Sequence, residues 1–190
     1  MPLYILDKQH FAVPNLELLR SLLMPVLTDL EIVGLDIEVE LLDDKQIAQL
    51  NEKFFSRSRP TNVISFPLVP YKLFSVQKNK KKIRKYSDKS TYLRADKARF
   101  GCGIFVPALD EESDHLGNVV VSVETVGPET RALGYTLEEG IVYYLIHGIL
   151  HLLGFEHVDV GLEVASLMEK RQDELFDLVL KKVALTGVVK

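Results

Sequence analysis

The sequence contains no tryptophan and only one cysteine, and none of its apolar runs is long. With Cys102 as its only thiol, the chain cannot form an internal disulfide or a metal knuckle built from several cysteines. The lack of disulfides is typical of proteins in a reducing compartment. A membrane helix needs roughly 18 uninterrupted apolar residues, and no window of the sequence reaches that length. The first residues also lack the basic and apolar segments of a secretory signal. We therefore expect a cytoplasmic protein with no membrane partner.

Positive charge is concentrated in one stretch of the chain. The 190 residues together carry a formal net charge of −4, which argues against a generic nucleic-acid binder. Residues 71–99, however, contain eleven lysines and arginines against two aspartates, so this stretch carries +9 and the remainder −13. Because 47% of the residues are apolar, the chain can fill one sizeable core, and we predict a single domain over residues 1–190.

The hydrophobic pattern alternates strands with helices before it becomes purely helical. Residues 36–42 (DIEVELL) alternate acidic and apolar side chains, as a half-buried strand does. Thr136 and Glu139 form a capping box that opens an apolar helix. The predicted fold class is α/β (α+β), with helices packed on a small mixed sheet of four strands. Strands are expected at 3–6, 36–42, 61–66 and 118–123. Helices are expected from Asn15 to about Asp29, from Asp43 or Asp44 through Phe54, at about 137–153 and at about 161–182.

Residues 68–115 do not fit this plan. They form a long connection between two strands, and their first half contains the basic run KNKKKIRK. Connections of this length are usually functional or disordered. We predict a basic insertion at about 68–115 that is mobile at least over 76–90. Its lysines either keep a solvated loop soluble or add sequence-independent affinity for phosphate.

Three of the five histidines lie within the peptide HGILHLLGFEH at 147–157. His147 and His151 are four residues apart in the predicted helix, so both imidazoles project from one face. That spacing suits two ligands bonded to one ion at about 2.0–2.1 Å. Gly154 can end the helix in a left-handed conformation, and the turn after it can bring His157 back toward the pair. The pattern predicts one zinc ion on His147, His151 and His157 with a fourth position open to water, although imidazole also suits nickel and copper.

The histidine spacing matches the metzincin protease pattern HExxHxxGxxH except at one position. The residue after the first histidine is the glutamate general base in those proteases, and here it is Gly148. A glycine cannot accept a proton, and Glu156 is expected in the turn rather than on the helical face beside the metal. Peptide hydrolysis by that route is therefore disfavoured. We interpret Gly148 as opening space near the metal for a bulkier substrate.

At three places the sequence resembles the YbeY-type rRNA maturation factors, a bacterial and organellar family of single-metal endoribonucleases. The histidine peptide resembles the family motif HGxLHLxGxDH, with Glu156 in place of the aspartate. A block resembling LNxxYRxxxxPTDVLSFP is matched by LNEKFFSRSRPTNVISFP at 50–67. A third block, resembling LGD followed by SxET, is matched from Leu116 to Thr125. The resemblance covers residues 36–66 and 116–180 and leaves the insertion unexplained.

The resemblance implies a zincin-like fold with the metal-binding helix near the C-terminus, and a metal on the three histidines. It also implies an arginine near the metal that meets RNA phosphate. Phe55 stands where that arginine is usual, so Arg57 or Arg59 would supply the charge. Arg57 is preferred because its loop should be free to bend toward the metal. The block at 61–67 has a simpler interpretation, as a strand that holds one wall of the cleft.

The function implied by the resemblance is a zinc-dependent, single-strand-specific endoribonuclease in 3′-end maturation of 16S rRNA and in ribosome quality control. Its partners would be rRNA and ribosomal proteins, and zinc with Arg57 would stabilise charge on the phosphate. No general base is evident, so either zinc-bound hydroxide or the RNA 2′-hydroxyl can be the nucleophile. Two alternatives stay open: a zincin-like metalloprotease with an acidic base, and a non-catalytic ribosome-assembly factor pinned by zinc.

Overall fold

The structure, a computed structural model, describes residues 3–68, 71–72, 106–107, 115–155 and 162–186. Strands and helices alternate through the first half of these residues, and helices dominate after the last strand. The strands are β1 (Leu3–Asp7), β2 (Asp36–Leu42), β3 (Val63–Pro67), β4 (Tyr71–Lys72), β5 (Val106–Pro107) and β6 (His115–Ser122). The helices are α1 (Leu16–Asp29), α2 (Asp44–Phe55), α3 (Val123–Ala132), α4 (Leu137–Leu152) and α5 (Leu162–Thr186).

Four of the strands form one mixed sheet in the order β1–β2–β6–β3. β1, β2 and β6 run parallel, whereas β3 pairs antiparallel with β6 at the edge of the sheet. Parallel neighbours need long crossover connections, and α1 supplies the one between β1 and β2. The predicted α/β fold with a mixed sheet of four strands is confirmed.

Each face of the sheet carries a cluster of buried apolar side chains, and each cluster is covered by different helices. Ile37 and Val39 of β2 face the large core, which lies between the sheet and helices α1, α4 and α5. Val120 and Ile64 point to the opposite face, where Ile47 of α2 closes a smaller core. This two-sided burial explains the three consecutive valines of β6, at residues 119–121.

A buried ion pair ties α5 to α1 on the large-core side of the sheet. The Arg171 side chain of α5 is only 7% exposed, and its guanidinium pairs with the carboxylate of Asp29 at the end of α1. Glu174 contributes a second carboxylate oxygen, 3.4 Å from the guanidinium. Leaving a buried guanidinium without its carboxylate would cost roughly 3–5 kcal/mol of folding free energy. The ion pair therefore holds α5 in place against α1. The next residue on α5, Gln172, is also buried.

The element boundaries differ from the predicted ones at a few ends. β3 begins at Val63 rather than at 61, and β6 begins at His115 rather than at 118. The early start of β6 depends on Gly117, which has a φ of +149° and lies so near β3 that an added Cβ would meet the Phe66 carbonyl oxygen at 2.5 Å. Only glycine tolerates such a close approach between the two strands. The alternation of apolar and polar residues in the sequence does not indicate this contact.

Between Leu68 and His115, at the two ends of the predicted insertion, the structure describes only β4 and β5, which pair antiparallel with each other. The prediction of mobility over 76–90 falls outside the described residues, as does Cys102. Within the described ranges, no helix is both long enough and apolar enough to cross a membrane.

Candidate metal centre

The helix that carries two of the predicted ligands begins and ends where its sequence indicates. The Thr136 hydroxyl accepts a hydrogen bond from the Glu139 N–H at 3.2 Å, and the Thr136 N–H donates to the Glu139 carboxylate at 2.6 Å. This is the predicted capping box. α4 ends at Leu152, and Gly154 adopts a φ of +83°, a left-handed conformation that favours glycine. The predicted helix and its termination are confirmed.

His147 and His151 turn the same ring nitrogen toward each other. Their Nε2 atoms lie 3.1 Å apart, and both side chains are half-buried. Two nitrogen ligands bonded to one tetrahedral ion at about 2.0–2.1 Å lie about 3.3 Å from each other. Because the observed separation is close to that value, the pair fits a single ion without rearrangement of the helix.

The other ring nitrogen of each histidine is hydrogen-bonded to an oxygen atom that can act only as a hydrogen-bond acceptor. His147 Nδ1 lies 2.8 Å from the Gln172 side-chain oxygen, and His151 Nδ1 lies 2.9 Å from the Phe155 carbonyl. Each Nδ1 is therefore the protonated nitrogen, and each Nε2 carries the lone pair that a metal needs. Two neutral imidazoles prepared in this way fit a borderline-soft divalent ion such as zinc.

The third predicted ligand, His157, lies outside the described residues. Within the ranges that the structure describes, no group of three or more His, Cys, Asp or Glu side chains could hold a metal. The carbonyl of Phe155 bonds His151, so the chain leaves α4 beside the histidine pair two residues before His157. The structure thus brings two of the three predicted ligands together, and the third stays a prediction.

Gly148 lies against the sheet, and this corrects the sequence-based interpretation that it opens space for a substrate. It is buried, and an added Cβ would lie 2.4 Å from a methyl carbon of Val119 on β6 and 3.2 Å from one of Val63 on β3. The Ser65 hydroxyl donates to the Gly148 carbonyl at 3.0 Å. The glycine is needed because α4 and the sheet touch at this point. The contact also supports the simpler interpretation of the block at 61–67 as one wall of the site.

Arg57 and Arg59 lie in the exposed loop between α2 and β3. Asn51, only 5% exposed, donates from its side-chain amide to the Arg59 carbonyl at 2.7 Å. The Asn51 main-chain carbonyl also accepts the Arg57 N–H at 3.3 Å. These bonds hold the loop backbone, whereas the sequence suggested a loop free to bend. Among the described residues, the structure shows no ion pair between either arginine and another residue, so the role of Arg57 stays a prediction.

Gln172 is a site residue that the sequence analysis missed. It is 5% exposed on α5 and bonds the Nδ1 of His147. A signal for it exists in the sequence, because the buried stripe of α5 runs through Met168, Leu175 and Val179, and Gln172 occupies a helical position within that stripe. A polar residue on an apolar stripe needs a buried hydrogen-bond partner, and here that partner is the Nδ1 of His147.

Tyr144 precedes His147 by one turn of α4 and carries a polar contact of its own. Its hydroxyl donates to the Glu129 carboxylate at 2.7 Å, and the Asn62 amide donates to the same oxygen. Burial, followed by the hydrogen bond to Glu129, raises the pKa of Tyr144 well above its usual value. The phenol is therefore protonated at neutral pH and acts as a donor.

Comparison with known proteins places these features in a family context. A family model described as endoribonuclease YbeY matches residues 7–179. An endoribonuclease YbeY of Syntrophotalea carbinolica is 27% identical over 174 residues, which cover 92% of this chain and 93% of the relative. The corresponding protein of Aquifex aeolicus is 29% identical over 158 residues, with coverages of 83% and 77%. A Thermotoga maritima protein with a known solution structure shares the fold, with a TM-score of 0.54 at 21% identity over 97% of this chain and 93% of that one.

Proposed function

Since the chain belongs to the endoribonuclease YbeY family, we propose that it is a zinc-dependent, single-strand-specific endoribonuclease that acts in 3′-end maturation of small-subunit rRNA. Ribosome quality control would be part of the same role, with rRNA and ribosomal proteins as partners in the cytoplasm. The observation that carries the proposal is the histidine pair on α4, whose Nε2 atoms lie 3.1 Å apart. The fold would be zincin-like, with α4 as its metal-binding helix.

The proposed ligands are His147, His151 and His157, with zinc as the preferred ion and nickel or copper as alternatives. When bound, zinc supplies Lewis acidity to a phosphoryl oxygen and lowers the pKa of water. The chain itself orients the ligands, because Gln172 and the Phe155 carbonyl fix the plane and tautomer of one imidazole each. Arg57, or Arg59 in its place, would set a guanidinium against the charge that develops on the phosphate.

The surroundings of Gly148 disfavour the protease alternative. A zincin-like protease needs an acidic general base next to the metal, and the residue that carries it would stand at position 148. A Cβ there would already lie 2.4 Å from Val119, so a glutamate does not fit this backbone. Phosphodiester hydrolysis does not require a side-chain base at that position.

The experiment that tests the proposal uses precursor rRNA with an unprocessed 3′ end. We expect zinc-loaded protein to cleave the single-stranded 3′ region, chelator-stripped protein to leave it intact, and added zinc to restore cleavage. A casein substrate under the same conditions should stay uncut. Binding of the precursor without cleavage at any metal content would instead indicate the non-catalytic assembly factor, and chelator-sensitive peptide cleavage would indicate the protease.

Replacing Gln172 with leucine is expected to weaken zinc binding by about 10- to 100-fold, the usual effect of losing a residue that orients a metal ligand. Leucine has a similar volume but cannot accept the Nδ1–H of His147, so the imidazole loses its fixed tautomer. Gln172→Glu keeps an acceptor at the same position and should bind zinc at least as tightly as the wild type. Competition with a chromophoric chelator at neutral pH measures all three affinities.

The matched control is Asp177→Leu, a polar-to-leucine change at an exposed position of the same helix. It should leave the zinc affinity unchanged, and thermal unfolding of each metal-free variant checks that the fold is retained. Equal zinc affinity of the Gln172→Leu and wild-type proteins would show that Gln172 does not orient a ligand.

A further inference from the structure

Two phenylalanine rings are exposed at the C-terminal end of α2. Phe54 is 53% exposed and Phe55 is 50% exposed. The Phe54 ring meets the Phe66 ring of β3 edge to face, with ring centroids 4.9 Å apart. Lys53 places its Nζ 5.2 Å from the Phe54 centroid, within the range of a cation–π contact. Both side chains therefore offer apolar surface that a partner can contact.

The loop that follows the two rings presents two more cations on a fixed backbone. Ser56 ends α2 with a φ of +57°, and Arg57 and Arg59 come directly after it. The buried Asn51 bonds the backbone of both arginines, and both side chains are exposed. Residues 53–59 contain three cations and no carboxylate, although the chain as a whole is acidic.

We propose that this α2-end surface, formed by Lys53, Phe54, Phe55, Arg57 and Arg59, binds single-stranded RNA. Unpaired bases stack on the two phenylalanine rings, and the phosphates between them lie against the lysine and the arginines. The inference rests on the proposed function, because single-stranded RNA is the substrate of that activity.

The chemistry of the surface favours a single-stranded nucleic acid over a protein partner. Every base offers a π-face and every linkage a negative charge, so aromatic rings interleaved with cations bind single strands with little dependence on sequence. A duplex keeps its bases stacked inside the helix and offers only phosphates. An apolar protein surface would leave three cations unmatched at this site.

The test measures binding of a fluorescent single-stranded RNA of about 12 nucleotides, within the usual length of a single-strand site, to chelator-treated protein by anisotropy at several salt concentrations. We expect Phe55→Ala to weaken binding by about 5- to 100-fold, the range for loss of one stacked base, with no change in salt dependence. Arg57→Gln should instead reduce the slope of log Kd against log salt by about 0.7, as loss of one phosphate contact to a single strand requires. Phe55→Tyr keeps a ring and should bind as the wild type does.

The control is Phe11→Ala, because Phe11 is 49% exposed and lies beside Gly127 of α3 rather than on the α2-end surface. It should bind RNA as the wild type does, and a duplex of the same sequence should bind equally to the wild type and to Phe55→Ala.

Unchanged binding by Phe55→Ala, or an equal loss with Phe11→Ala, would overturn the proposal. The cleavage assay with precursor rRNA tests the nuclease separately. RNA cleavage by the wild type together with unchanged RNA binding by Phe55→Ala would refute the surface alone, and binding that depends on Phe55 without any cleavage would refute the nuclease alone.

Discussion

Replacing His151 with alanine is expected to remove zinc binding and to lower the rate of RNA cleavage on the order of 10³-fold, because a metal that stabilises the transition state contributes several kcal/mol. His151 supplies one of two nitrogens that lie 3.1 Å apart, and alanine leaves a single imidazole on α4. Single-turnover cleavage of the rRNA precursor at saturating zinc measures the rate, and chelator competition measures the affinity.

The matched control is His10→Ala, because His10 is an exposed histidine at the other end of the chain. This variant should cleave RNA and bind zinc like the wild type. If the His151 variant cleaves the precursor at the wild-type rate, the reaction does not depend on a metal held by α4. A similar loss in both variants would point to an unspecific effect of removing histidine.

Replacing Gly148 with alanine is expected to lower the free energy of unfolding by about 1–3 kcal/mol, the usual cost of overpacking a well-filled core. The added methyl group would lie 2.4 Å from a Val119 methyl carbon and 3.0 Å from the Ser65 hydroxyl oxygen, so α4 must move away from the sheet. For a protein of this size the melting temperature should fall by about 3–10 °C. Thermal unfolding of the metal-free protein measures the loss, and zinc affinity should fall as well because two of the three proposed ligands, His147 and His151, are on α4.

Two variants test whether the steric contact is the cause. Gly34→Ala adds a methyl group where nothing lies within 4 Å, so it should unfold at or slightly above the wild-type temperature. Combining Gly148→Ala with Val119→Ala removes the closest clashing carbon, and the double variant should lose less stability than the two single losses together. Simple additivity of the two losses, or a Gly148→Ala protein as stable as the wild type, would contradict the contact.

Local sequence signals were sufficient to predict helix α4 and the strands of the sheet. Thr136 and Glu139 cap α4 at its N-terminus, Gly154 lies just beyond its end, and four-residue spacing places both histidines on one side. Each of these effects depends on residues close together in the chain. The alternation at 36–42 likewise predicted β2 with its observed bounds, Asp36–Leu42.

The parts of the site that depend on distant residues did not follow from the sequence. Gly148 meets Val119 and Ser65 only because β3 pairs with β6 in a register that puts Ser65 opposite Val119. Gln172 reaches His147 only because α5 is held against α1 and α4. The helical spacing of α5 places Gln172 on the buried stripe but does not reveal its partner, and no pattern in the sequence shows the contact of Gly148 with the sheet. The role of Gly148 was therefore misread and that of Gln172 was missed.

A calorimetric titration of the chelator-stripped protein with zinc tests the proposed metal site on α4 most directly. The wild type should saturate at about one zinc ion per chain, and the His147→Ala variant should show no comparable binding under the same conditions. Failure of the wild type to bind zinc, or equally tight binding by the His147→Ala variant, would contradict a metal site on α4.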